Sequence, residues 1–122
     1  MKIVVAEDEF LIADMLVVSL EEAGHEVHDA EHGVAALKLV RDLVPDLVIT
    51  DFMMPLMTGL ELAEAMRADS RLQRIPIVLV SGAQGSIARS REDLFDLVFD
   101  KPYTMDRLLA AVAELGNDRD QS

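Results

Sequence analysis

Four short stretches of this 122-residue chain carry side chains whose types and positions suit joint chemistry: Glu7-Asp8-Glu9, Asp51 ahead of Phe52-Met53-Met54-Pro55, Ser81-Gly82, and Lys101-Pro102. Each follows directly on a short apolar run, so parallel strands would bring all four to one edge. Glu7, Asp8 and Asp51 would then crowd together. Two like charges about 4 Å apart repel by roughly 4 kcal/mol at an effective dielectric of about 20. A hard cation relieves that repulsion, and a donor set of oxygens without His or Cys favours Mg²⁺ over zinc or copper. Mg²⁺ keeps several waters and accepts phosphate oxygens, so the constellation suits a phosphoryl group better than a metal alone. Singly, each residue has an ordinary structural role as a helix cap or turn residue. Lys101 fits such a role least, because it ends a strand immediately before a proline.

The elements that must position these residues are legible as alternating patterns. Residues 3–6, 47–50 and 77–80 are almost continuously hydrophobic and β-branched, as strands covered on both faces are. Glu26–Ala30 alternates, with Val27 and Asp29 on one face, and reads as an edge strand; Leu97–Asp100 reads as a short fifth strand, also at an edge. Helices are expected over residues 10–23, 33–43, 58–68, 86–94 and 104–115. In the first, Leu11, Met15, Val18 and Ala23 form an apolar stripe, with Gly24 at the C-cap. In the last, Thr104 is the N-cap and Leu108, Leu109, Val112 and Leu115 face inward. Arg89, Ser90, Arg91, Glu92 and Asp93 leave the 86–94 segment a thin apolar face, so it reads as a short, mobile helix. Five strands alternating with five helices predict an α/β, flavodoxin-like, doubly wound five-stranded parallel sheet of order 2-1-3-4-5. Residues 1–116 form one domain and 117–122 a polar C-terminal tail.

Composition narrows the function. Hydrophobic residues make up 51% of the chain, enough for a real core, and the absence of Cys excludes disulfides, thiolate metal sites and cysteine catalysis. A net charge of −12 repels phosphate backbones and anionic lipid, so neither nucleic acid nor membrane is an expected partner. No apolar run approaches the ~20 residues of a membrane span, nor is there a signal-peptide core, which predicts a cytoplasmic protein.

The stretches Ile3-Val4-Val5-Ala6-Glu7-Asp8-Glu9, Asp51-Phe52-Met53-Met54-Pro55 with Gly59, Val80-Ser81-Gly82 and Phe99-Asp100-Lys101-Pro102-Tyr103 together resemble the receiver domain of two-component response regulators. The resemblance covers essentially the whole chain. Nothing beyond Leu115 is left for an output domain, so it implies the stand-alone, single-domain type. It further implies that Asp51 is the phosphoacceptor, that Asp8 ligates Mg²⁺ directly, and that Glu7 acts through a metal-bound water. The Met53 backbone carbonyl would complete the protein ligands, Ser81 would hydrogen-bond the phosphoryl oxygen, and Lys101 would pair with Asp51 or its phosphate. The Lys101-Pro102 peptide would be cis. Such a domain is not an enzyme beyond its own phosphorylation and dephosphorylation; its partners are a histidine kinase or histidine phosphotransfer protein and a downstream protein target. One departure stands out: the position three before Lys101, often Tyr or Phe in the family, is Val98.

Other readings carry less. A haloacid-dehalogenase-type aspartyl-phosphate hydrolase needs Asp-x-Asp after the first strand, where this chain has Glu7-Asp8-Glu9. A flavodoxin-like cofactor binder would want a Ser/Thr/Gly phosphate loop at the same place. A non-phosphorylated interaction module would not need Asp8, Asp51, Ser81 and Lys101 intact. His25, His28 and His32 read as surface residues, since His25 and His28 face opposite sides of a strand. Met53, Met54 and Met57 read as packing, and Phe10, Leu11, Pro102 and Tyr103 as an apolar ring around the acidic mouth.

Overall fold

The apolar runs form five parallel strands, β1 (Lys2–Ala6), β2 (Glu26–Ala30), β3 (Leu47–Asp51), β4 (Ile77–Ser81) and β5 (Leu97–Asp100), in the order β2-β1-β3-β4-β5. The computed structural model describes residues 1–82 and 90–121. Among these the helices are α1 (Phe10–Glu22), α2 (Gly33–Leu43), α3 (Gly59–Arg67) and α4 (Met105–Gln121).

The two-residue period of the strands sorts the core into two layers. Ile3 and Val5, Leu47 and Ile49, and Val78 and Val80 face Leu16 and Leu20 of α1 and Leu108 and Val112 of α4. Val4, Ala6, Val48, Ile77 and Leu79 face Ala36, Leu37 and Val40 of α2 and Leu62, Ala63 and Met66 of α3. Register does the rest. Ala6 lies opposite Thr50, Asp51 opposite Val80, and Ser81 opposite Asp100, so the residues just past each strand end emerge level with one another.

Caps fix where the helices begin and end. Thr58 and Glu61 form a reciprocal capping box at α3, His32 Nδ1 accepts the Ala35 N–H at α2, and Thr104 Oγ accepts the Arg107 N–H at α4. Gly24 follows α1 at φ 97°, the left-handed conformation that favours glycine.

The structure corrects three expectations. The stripe Leu11, Met15, Val18 and Ala23 is exposed, and α1 buries Ala13, Leu16 and Leu20 instead. This helix is apolar on most of its circumference, so period alone selects no face, and packing on β1 and β2 does. The expected helix over 86–94 lies outside the described residues at 86–89, and residues 90–94 form a turn in which Leu94 N–H bonds to the Arg91 carbonyl at 3.0 Å. With little to bury over 89–93, the chain drives Leu94 and Phe95 into the core after that turn. The described helices therefore number four, not five. The last helix also continues past Leu115 to Gln121, running over Gly116, where an added Cβ would sit 3.1 Å from Met1 Cε; Ser122 lies outside the described residues.

Two residues of the β3 to α3 connection carry opposite backbone demands. An added Cβ at Gly59 would fall 2.3 Å from the Asp51 carbonyl oxygen, whereas Leu56 takes φ 70° although it has a Cβ. Gly59→Ala is therefore expected to lower stability by roughly 1–3 kcal/mol through overpacking, and Leu56→Gly to raise it by about 1 kcal/mol by relieving left-handed strain. Urea denaturation of the two variants checks both signs.

Candidate functional site

At the carboxyl edge of the sheet, one carboxylate oxygen from each of Glu7, Asp8 and Asp51 lies within 4.8 Å of the others. The first two lie directly after β1 and the third ends β3, and the parallel pairing of these strands brings them together. Glu7 and Asp51 are buried, whereas Asp8 is exposed at the mouth. Lys101 reaches in from the end of β5, its Nζ 3.3 Å from Asp51 Oδ2. The other oxygen, Oδ1, accepts the Phe52 N–H at 2.8 Å. Asp51 is thus oriented through both oxygens, by a cation on one side and the backbone on the other.

The electrostatics record the crowding. Burial, and then the Asp51 charge, push the Glu7 carboxyl up to about 7, against the lowering effects of the Glu9 N–H and Lys101. Lys101 is held above the usual lysine range: burial works against its charge, but Asp51 and Glu7 outweigh it. Burial also raises Tyr103, whose ring packs against Phe99 with centroids 6.1 Å apart. Three carboxylates with no nitrogen or sulfur donor among them form a group that could hold a hard cation. Glu7 and Asp8 also line a cavity of about 390 Å³ running toward Asp29, Glu31 and His32.

The remaining residues singled out from the sequence fall as follows. Ser81 ends β4, fully buried, and its carbonyl accepts the Lys101 N–H at 2.7 Å. Met53 sits two residues beyond Asp51 with its side chain exposed. The Lys101-Pro102 peptide is cis. Val98 is half-buried against the α2 and α3 side of the core. The histidines do not converge: His25 Nδ1 contacts the N-terminal amine at 3.1 Å, His28 pairs with Glu26 at 2.8 Å, and His32 caps α2. Sequence reasoning missed Thr50, a buried hydroxyl that donates to the Asp51 carbonyl at 2.9 Å and lies 3.8 Å from Met54 Sδ. The signal was there: a hydroxyl closing an otherwise apolar strand needs a partner.

A doubly wound parallel sheet with an acid cluster and a lysine at its carboxyl edge defines a receiver-type α/β domain. Residues 3–113 match the family model of the response regulator receiver domain, and the chain belongs to that family, a signalling module of two-component systems. It is 31% identical over 118 residues to the DNA-binding dual master transcriptional regulator RpaA of Synechocystis, covering 93% of this chain and 48% of that protein. It is 33% identical over 110 residues to the phosphate regulon transcriptional regulatory protein PhoB of Pseudomonas aeruginosa, covering 88% and 48%. The chain spans about half the length of these curated relatives. Its fold matches that of the chemotaxis response regulator CheY4 of Vibrio cholerae with a TM-score of 0.85 at 27% identity, covering 93% of this chain and 97% of that one.

The raised Glu7 carboxyl makes stability depend on pH. Its value in the folded chain, about 7, lies above the ordinary 4.5, so the folded state binds more protons between those values. The stability this contributes is present in full below about pH 4.5 and lost as pH rises through 7. In EDTA, the melting temperature of the wild type relative to Glu7→Gln is expected to fall between pH 5 and pH 8 (roughly the span of the titration). Using the difference cancels the opposite slope of His25, which burial and then the N-terminal charge hold below the usual histidine range.

Proposed function

We propose that Asp51 is the phosphoacceptor of a phosphorylation-dependent signalling switch or phosphorelay intermediate, taking its phosphoryl group from a phosphohistidine on a kinase or phosphotransfer protein. The observation that carries this reading is the convergence of Glu7, Asp8 and Asp51 within 4.8 Å, with Lys101 Nζ 3.3 Å from Asp51. An Asp51 oxygen forms the new P–O bond as the P–N bond breaks, and the departing imidazole takes up a proton. Lys101 is already in place to pair with the charge that gathers on the phosphoryl oxygens, and the buried Ser81 hydroxyl is the further donor at the neighbouring strand end. The Phe52 N–H holds Asp51 in its attacking orientation.

The all-oxygen cluster fits Mg²⁺, which Asp8 and Asp51 would hold by their carboxylates, Met53 by its carbonyl and Glu7 through water. When bound, Mg²⁺ supplies positive charge that neutralises the carboxylates and the phosphoryl oxygens together. Catalysis by the domain is confined to its own phosphorylation and dephosphorylation.

A protein donor is supported by what surrounds the mouth. Phe10, Leu11 and Met15 are 80%, 75% and 61% exposed along the start of α1. A cavity of about 290 Å³ lined by Ile12, Met15, Lys101, Pro102 and Tyr103 adjoins them. Such an apolar rim beside a charged centre suits a docked helix. With a net charge of −12, these 122 residues are set for protein contact in place of nucleic acid or a membrane surface. Among the described residues no helix is long and apolar enough to cross a membrane.

Incubation with acetyl phosphate and Mg²⁺ is expected to add about 80 Da, the mass of one phosphoryl group, on Asp51. The adduct should be absent in EDTA and in Asp51→Asn, and its persistence in Asp51→Asn overturns the assignment. Asp8→Asn is expected to raise the melting temperature in EDTA, because it removes one repelling charge, and to lose most of the stabilisation that Mg²⁺ gives the wild type. Thermal melts with and without Mg²⁺ check both effects.

A further inference from the structure

Arg67, the last residue of α3, lies away from the acidic cluster, yet its terminal guanidinium nitrogens reach four acceptors on two separate segments. Nη1 donates to the Gln73 and Ile75 carbonyls at 2.8 and 2.7 Å, both in the connection leading to β4. Nη2 donates to the Leu94 carbonyl at 2.8 Å and to Asp96 Oδ1 at 3.0 Å, both immediately ahead of β5. The same Asp96 oxygen accepts the Ile77 N–H at 2.8 Å, and the Asp96 N–H bonds back to the Ile77 carbonyl at 2.9 Å. Asp96 therefore grips the first residue of β4 through its side chain and its backbone, and Arg67 holds Asp96 in that grip.

β5 depends on such a fastening more than the other strands do. Among the described residues it is an edge strand of four residues paired only with β4, and none of its residues is fully buried. Leu97 and Phe99 pack on the α1 and α4 side and Val98 on the other, so burial resists a register slip only weakly. A slip of one residue would carry the strand about 3.3 Å along β4 and turn every side chain to the opposite face. Lys101 is the residue directly after this strand, tied to Ser81 by its N–H and to Asp51 by its Nζ. Its placement inherits the register of β5.

We propose that Arg67 is a positioning residue for phosphoryl transfer: by clamping Asp96 onto Ile77 and holding the Leu94 carbonyl, it fixes β5 on β4 and so places the Lys101 ammonium against Asp51. The planar guanidinium fork satisfies several fixed acceptors at once, which a lysine ammonium on a flexible stem does not. The proposal rests on the reading of Asp51 as phosphoacceptor and assigns a remote residue to the same reaction.

The experiment compares wild type, Arg67→Met, Arg67→Lys and Asp96→Asn in the full chain by three measurements. These are hydrogen exchange at the Lys101 and Ile49 amides, the rate of Asp51 phosphorylation by acetyl phosphate, and Mg²⁺ affinity. For Arg67→Met the Lys101 amide is expected to exchange about tenfold faster while Ile49 is unchanged, as in a local opening. Phosphorylation should slow by about tenfold or more, the scale of a small misplacement of a reacting group. Mg²⁺ affinity should stay the same, because Glu7 and Asp8 sit on another strand, and Arg67→Lys should recover only part of the rate. In a Lys101→Ala background Arg67→Met should add no further slowing. Arg67→Met that melts earlier but keeps the wild-type rate and Lys101 exchange overturns the proposal, as does undiminished slowing in the Lys101→Ala background. If Arg67→Met does not fold, Asp96→Asn, which keeps an acceptor for the Ile77 N–H, carries the same comparison. Failure of the wild type to take up phosphate at Asp51 would instead sink the functional reading, and Lys101 exchange would still decide whether Arg67 positions the strand end.

Discussion

One oxygen from each of three carboxylates lies within 4.8 Å of the others, and the rest of the site is arranged around that crowding. Left alone they repel, and the structure compensates in part: Lys101 faces Asp51, and the Glu7 carboxyl is pushed up to about 7 by burial and by the Asp51 charge. A solvent-exposed cluster would cost little, but Glu7 and Asp51 are buried, so water does not screen them. The arrangement could hold a hard cation, whose positive charge would offset the crowded carboxylates.

Parallel pairing is what makes that arrangement reproducible. With Ala6 opposite Thr50 and Ser81 opposite Asp100, the residues just beyond the strands have little freedom about where to emerge. Local devices remove the freedom that remains: the Phe52 N–H on Asp51, the Thr50 hydroxyl on the Asp51 carbonyl, and Gly59, which lets α3 start directly against that carbonyl. β5 is the weak member of the set. It is short and held on one side, so the Arg67 and Asp96 contacts do for it what burial does for β3.

Where the sequence was read correctly, the physical signals agreed. Continuous apolar runs marked β1, β3 and β4 because both faces of a parallel sheet are covered. The acids and the lysine stood out only in combination, since each alone has an ordinary structural role and parallel strands bring all four ends to one edge. Where it was read wrongly, two signals competed or none was strong. The α1 stripe Leu11, Met15 and Val18 is as periodic as the buried Ala13, Leu16 and Leu20, and the exposed set faces away from the core. Residues 89–93 offered little to bury, and the described part of that stretch is a turn.

The sequence by itself determined the strand pattern, the chemical types at the strand ends and the family to which they belong, because each of these is local in the chain. Only the tertiary structure decided which face of α1 is buried, how far Glu7 is shifted, and that Arg67 reaches Leu94 and Asp96, 27 and 29 residues away. These depend on distances between segments far apart in sequence, and neither a carboxyl's desolvation nor a guanidinium's acceptors can be set until packing brings those segments together.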